Sequence, residues 1–231
     1  MKTITMAMLT GLLTLTFAAT EASAEGRAKV RGAKTNADGG VTAGSATAAS
    51  GPNGGVAARG HAVSTNGAGS ATIVSGAAGV GANGGYYKRA GTTSVNADGS
   101  ASHQSGAYAQ GANGGTASRY GSTVRNADGS AQHSSGASAT GANGAYANTS
   151  GSYTRNADGT YSGSRNTNAS GANGSYSGNT QYVNGSGTHT SDITAKNGDT
   201  YAGDTTWTKG EGATHSGTCR DASGNVITCP R

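Results

Sequence analysis

The stretch "NADGSAQHSSGASATGANG" (residues 126–144) holds one full period of the chain: a turn signal NADG at 126–129, eleven residues rich in Ser and Ala, and a second signal GANG at 141–144. Both signals have the chemistry of a type I turn closed by a left-handed residue. Asn or Gly stands first, a residue tolerant of φ about −60° second, Asp or Asn third and Gly fourth. Outward from this stretch, four-residue signals begin at 36, 51, 66, 81, 96, 111, 126, 141, 156 and 171, each fifteen residues from the last and with no insertion or deletion. Self-similarity at a fixed period marks a repeat architecture. NADG itself recurs at Asn36, Asp38 and Gly39, at Asn96, Asp98 and Gly99, at Asn126, Asp128 and Gly129, and at Asn156, Asp158 and Gly159, which we assign as structural turns. Pro52 falls at the second position of its signal, where a locked φ suits the turn.

Residues 1–24 read as a secretory signal peptide: an early Lys2, an apolar stretch from Met6 to Ala19, and Ala22-Ser23-Ala24 in the small-x-small arrangement of a cleavage site. The expected location is therefore secreted or cell-surface, with no membrane span in the mature chain. Every Leu, every Met and the only Phe lie within this segment. The remainder has ten Val, three Ile, ten Tyr and Trp207 as large apolar groups. That excludes a conventional globular core. Backbone ladders and small side chains in stacked repeats can replace it, or the chain can remain disordered.

Between turns, the seventh residue is glycine in six successive units, from Gly76 through Gly91, Gly106, Gly121 and Gly136 to Gly151, and a recurrent interior glycine predicts a bend or a close backbone approach. Small residues fill two columns, Thr47 to Thr167 and Ala49 to Ala169, read at fifteen-residue steps. A thirty-residue superperiod runs through the charges: Arg59, Arg89 and Arg119 alternate with Val74 and Gln104 in one column, which holds like charges apart. The fold expected is all-β, a solenoid-like stack of fifteen-residue units with corners at the turn and at the glycine. An antiparallel meander, with each unit one long strand, is the alternative.

The organisation that follows is a signal peptide at 1–24, a basic N-terminal arm at 25–35, glycine-rich repeats at 36–185 and a C-terminal cap at 186–231. Cys219 and Cys229 flank the last turn and are expected to form a disulfide in an oxidising compartment.

Candidate chemistry is sparse. Each NADG has a single carboxylate, whereas calcium loops gather several around one ion. His103 and His133 share a column with serines but have no third group to orient them, so neither a hydrolytic nor a metal role is assigned. No catalytic residue or cofactor is expected. Arg27, Lys29, Arg31 and Lys34 form a basic run able to contact an extracellular polyanion or polysaccharide. The aromatic-interleaved motifs of nucleic-acid modules are missing.

The composition points to an exported structural repeat protein, a component of a cell surface, fibre or biofilm matrix, with self-association as its expected partnership. A monomeric adhesin-type module and a disordered glycine-rich matrix protein are the alternatives. In architecture, stacked strand-turn-strand repeats resemble the curli class of bacterial functional amyloids. The spaced Gln and Asn ladder of curlin repeats is not reproduced, and no functional residue is carried across. Fifteen-residue rungs with small interiors also resemble antifreeze solenoids, although the outward column is not a threonine array.

Overall fold

A computed structural model describes residues 26–229; the expected signal peptide lies outside them. The strands are β1 (Gly26–Thr35), β2 (Val41–Ser50), β3 (Val56–Thr65), β4 (Ala71–Val80), β5 (Tyr86–Val95), β6 (Ala101–Gln110), β7 (Thr116–Arg125) and β8 (Ala131–Thr140). They continue with β9 (Tyr146–Arg155), β10 (Tyr161–Gly171), β11 (Gly174–Val183), β12 (Ser186–Ala195), β13 (Thr200–Thr208), β14 (Gly212–Arg220) and β15 (Val226–Ile227). All fifteen belong to one open sheet in sequence order, each antiparallel to the next.

The chain is all-β and repetitive, and its repeat takes the meander form: one fifteen-residue unit is one ten-residue strand plus one five-residue connection. The interior glycines do not turn a corner. β6 runs unbroken through Gly106 and β8 through Gly136. The hydrogen bonds of each connection explain the topology. In the turn at 126–130, Gly129 N donates to Asn126 O (3.1 Å) and Asn126 N to Ser130 O (2.9 Å), with Gly129 at φ 85°. That is a type I turn followed by a left-handed bulge residue, the connection that sends a strand back beside its predecessor.

Antiparallel pairing rearranges the fifteen-residue columns. A residue faces the strand before it and the strand after it by reflection, so positions thirty apart share a row and positions fifteen apart lie on opposite faces. Thr47, Ala77, Ala107 and Ala137 remain together, whereas Ala62, Thr92 and Ser122 belong to the other face. The residues standing between Arg59, Arg89 and Arg119 are accordingly Ala77 and Ala107, not Val74 and Gln104.

Both faces of this single layer are open. Among the described residues, the buried positions are four glycines, Gly40, Gly79, Gly136 and Gly203, and Cys219, the only buried hydrophobic side chain. Three of those glycines lie under rings. A Cβ on Gly79 would sit 2.7 Å from the Tyr87 ring, and one on Gly136 would sit 2.5 Å from the Tyr120 ring. Gly203 lies beneath Tyr201, Gly163 beneath Tyr182, and Gly187 beneath Trp207. The ring covers backbone that a side chain would otherwise occupy, the aromatic-on-glycine device of isolated sheets. Tyr153, Tyr161 and Tyr182 then meet at centroid distances of 6.2–6.5 Å.

The basic run 26–35 is itself a strand, β1, paired along its whole length with β2. At the far end, β12 to β15 continue the sheet, and Cys219 on β14 bonds Cys229 just past β15, with a Cα separation of 5.3 Å. The bridge closes the last hairpin and staples a two-residue edge strand that could not hold by pairing alone.

Two glycine substitutions separate the ring-seat role from simple flexibility. At Gly163 a Cβ would strike Tyr182 and lie 2.8 Å from Ser152 O, whereas at Gly106 it would meet only Arg119 O at 3.7 Å. Gly163→Ala is expected to destabilise the sheet by about 1–3 kcal/mol through overpacking. Gly106→Ala is expected to be neutral or stabilising by about 0.4–1 kcal/mol. Urea denaturation followed by Trp207 fluorescence and circular dichroism measures both.

Candidate functional site: a cationic sheet face

Side chains alternate across a strand, and directly paired residues project to the same side. Following the registers across the sheet therefore assigns every strand residue to a face. One face carries Arg27, Lys29 and Arg31 from β1, then Arg59, Arg89 and Arg119 from β3, β5 and β7. Arg125, Arg155 and Arg165 lie on the same side, and so do all five histidines. No Asp or Glu occupies a strand position on that face. The opposite face has Lys34, Lys88 and Arg220 against Asp192 and Asp204, and is nearly neutral.

The four residues assigned to a basic arm are thus split. The period of two places Arg27, Lys29 and Arg31 on the cationic face and Lys34 on the other. Lys29 heads a row that crosses the strands: Lys29, Thr47, Arg59, Ala77, Arg89, Ala107, Arg119, Ala137. Cations sit on alternate strands, about 9.6 Å apart at twice the strand spacing. That is near the Debye length of about 8 Å at physiological salt, so mutual repulsion is largely screened. The row lines a trough of about 790 Å³ together with His61, His103, Ser75 and Ser105.

Four of the five histidines are held by cross-strand threonines, and His61 faces Ser45. Thr93 Oγ1 and His103 Nδ1, Thr123 and His133, Thr180 and His189, and Thr205 and His215 each lie 2.8 Å apart. Tyr201 Oη meets His215 Nε2 at 2.9 Å. Thr123 stands directly between His103 and His133, which places those two rings' strands about 9.6 Å apart. Zinc–nitrogen bonds reach about 2.1 Å, so this pair does not converge on one ion. Among the described residues, no group of three or more His, Cys, Asp or Glu is placed to hold a metal.

The NADG turns gather along one edge of the sheet and the GANG-type turns along the other, because successive connections alternate between the two ends of the strands. Within each NADG the carboxylate is used locally. Ser100 N and Oγ donate to Asp98 Oδ1 at 2.8 and 2.7 Å, while Asn96 Nδ2 donates to Ser100 Oγ at 2.9 Å. The same ring of bonds recurs at Asn156, Asp158 and Thr160. The hydroxyl bond first, and the amide bond second, hold Asp98, Asp128 and Asp158 below the ordinary carboxylate value. Asp221, bonded by the Asn225 side chain and amide, is lowered likewise. Neighbouring NADG carboxylates are two strands apart, so they do not form a shared calcium cage.

Comparison of the chain with protein-family models, curated proteins and solved structures finds no match. No helix among the described residues is long and apolar enough to cross a membrane, and the disulfide is a bond of oxidising compartments.

A lowered carboxylate contributes stability that is present above its unfolded value, about 3.9 for Asp, and lost as pH falls through its folded value. The NADG edge is therefore expected to weaken below the ordinary aspartate range while the GANG edge holds. Amide exchange at Ser100, Ser130 and Thr160, compared with Gly85 and Gly115 between pH 5 and 2.5, measures the difference. Asp98→Asn, Asp128→Asn and Asp158→Asn together are expected to flatten it.

Proposed function

We propose that the protein is an exported structural repeat protein, a building element of a cell surface or extracellular matrix, that self-associates by laminating its neutral face. The observation that carries this reading is the missing core: fifteen strands in one layer whose only buried hydrophobic side chain is Cys219. A single-layer sheet gains stability when a second layer covers one face.

The neutral face suits that role. Ala48, Ala58 and Ala78 form one row, Ala46, Gly60, Gly76, Ala90 and Gly106 the next, and the exposed Val56, Val80 and Tyr86 a third at the margin. Over β2 to β4 small side chains allow close approach, Lys88, Tyr108, Tyr120 and Tyr146 rise from the same face beyond them, and near-neutral charge removes the repulsion that two cationic faces would meet. The fourteen long strands, of nine to eleven residues, offer about 67 by 33 Å, or some 2,200 Å² of footprint, from the usual strand spacing and rise. A standard interface needs about 800 Å² per partner. Edge-to-edge growth is less favoured: β1 carries four cations, a common guard of exposed edges, and β15 is two residues long.

Sedimentation equilibrium of the purified protein at increasing concentration tests this. Reversible assembly is expected, with reflections at about 4.8 and 10 Å from aligned material. Ala58→Lys with Ala78→Lys is expected to hold the protein monomeric without changing its far-ultraviolet spectrum. A wild-type protein that stays monomeric at millimolar concentration overturns the reading.

A further inference from the structure

The cationic face is not needed for lamination. A neutral, small-residue face suffices for stacking, yet the other side of the same strands concentrates nine Lys and Arg with no acid among them. We propose that this face binds a linear carboxylated polysaccharide laid across the strands. Its acidic groups engage Lys29, Arg59, Arg89 and Arg119, its neutral sugars span the alanines between them, and where the polymer runs on past β8 its sugar rings lie over the tyrosines.

Three observations define the ligand. The first is spacing. The row presents one cation every two strands, about 9.6 Å, whereas a nucleic-acid strand carries a charge about every 3.4 Å. A sparsely charged chain, with one acidic sugar in each disaccharide, fits the row. The second is room. Only small residues flank the arginines in the row, Thr47 and Ala77 beside Arg59, Ala77 and Ala107 beside Arg89, and Ala107 and Ala137 beside Arg119, which leaves each guanidinium room to present its fork to a carboxylate. Arg59, Arg89 and Arg119 are exposed, and hydroxyls of Ser75 and Ser105 line the same trough as sugar hydrogen-bond partners.

The third is the continuation of the face beyond β8. There, beside Arg155 and Arg165, one row turns aromatic: Tyr153 and Tyr182 follow His133, with Trp207 further on. Gly163 and Gly187 seat the rings of Tyr182 and Trp207, so each half-buried ring has one side on the backbone and the other towards solvent. Rings held this way offer apolar faces to sugar rings without a cost in side-chain ordering. The proposal uses the face opposite to lamination, so either can fail alone.

Hyaluronan is the probe, because it alternates a carboxylated with a neutral sugar. Immobilised hyaluronan is expected to bind the purified protein with affinity that falls as salt rises from 50 to 300 mM. Arg59→Ala, Arg89→Ala and Arg119→Ala together are expected to weaken binding at least tenfold. Lys34→Ala with Lys88→Ala removes charge from the opposite face and is expected to change affinity less than twofold. Circular dichroism verifies that each variant keeps the wild-type sheet, and single arginine variants replace the triple if it does not. Tighter binding to oligo-dT of equal length, equal weakening by the two variant sets, or no hyaluronan binding at 50 mM salt overturns the proposal.

Discussion

The sheet from β1 to β10 depends on a connection of constant length. Five residues, closed by an amide of the left-handed glycine and a return bond from the first turn residue, reverse the chain and set the register of the next ten. Because the nine connections from β1 to β10 do not vary in length, each of these strands finds the same offset from its neighbour, and the ladder propagates without a core to guide it. In a domain with a hydrophobic interior, packing selects among registers. Here the turns do that work, which is why their chemistry recurs and why Asp98, Asp128 and Asp158 are each committed to the Ser or Thr two residues on.

Thin sheets lose backbone hydrogen bonds to water where no side chain shields them. The rings laid on Gly79, Gly136, Gly163, Gly187 and Gly203 provide local shielding in the absence of a second layer. Three of them, over Gly163, Gly187 and Gly203, gather on the cationic side over β10 to β13, beside Arg155 and Arg165. Charge segregation is the other consequence of the fold. A period of two along the strand and a period of thirty along the chain together send nine cations to one side, leaving the reverse side nearly neutral. One face suited to association with a copy and one suited to an anionic chain are what a matrix element would need.

Much of this was legible in the residues. The turns, the fifteen-residue unit, the all-β class and the Cys219–Cys229 bridge could all be read from spacing and turn chemistry. The direction of pairing could have been read too. NADG at 96, 126 and 156 alternates with GANG at 81, 111, 141 and 171, and two turn chemistries taken in alternation belong at the two edges of a meander. Read as a single stacked column, that alternation suggested only the avoidance of like charge. The cationic face stayed hidden for the same reason, since a fifteen-residue column mixes the two faces and places Gln104 where Ala107 belongs. The seats of the rings depend on cross-strand pairs such as Gly163 with Tyr182, which no local pattern announces.

The central claim is reflection rather than translation between neighbouring units. Ser118 and Ser138 are direct partners with hydroxyls 2.7 Å apart, whereas Ser118 and His133 are one repeat apart and project from opposite faces. Paired strand residues come within the span a disulfide requires. In mild oxidation of double-cysteine variants, Ser118→Cys with Ser138→Cys is predicted to crosslink nearly quantitatively, and Ser118→Cys with His133→Cys to remain reduced. Efficient bridging of the second pair and not the first would contradict the meander, and with it the two-faced sheet.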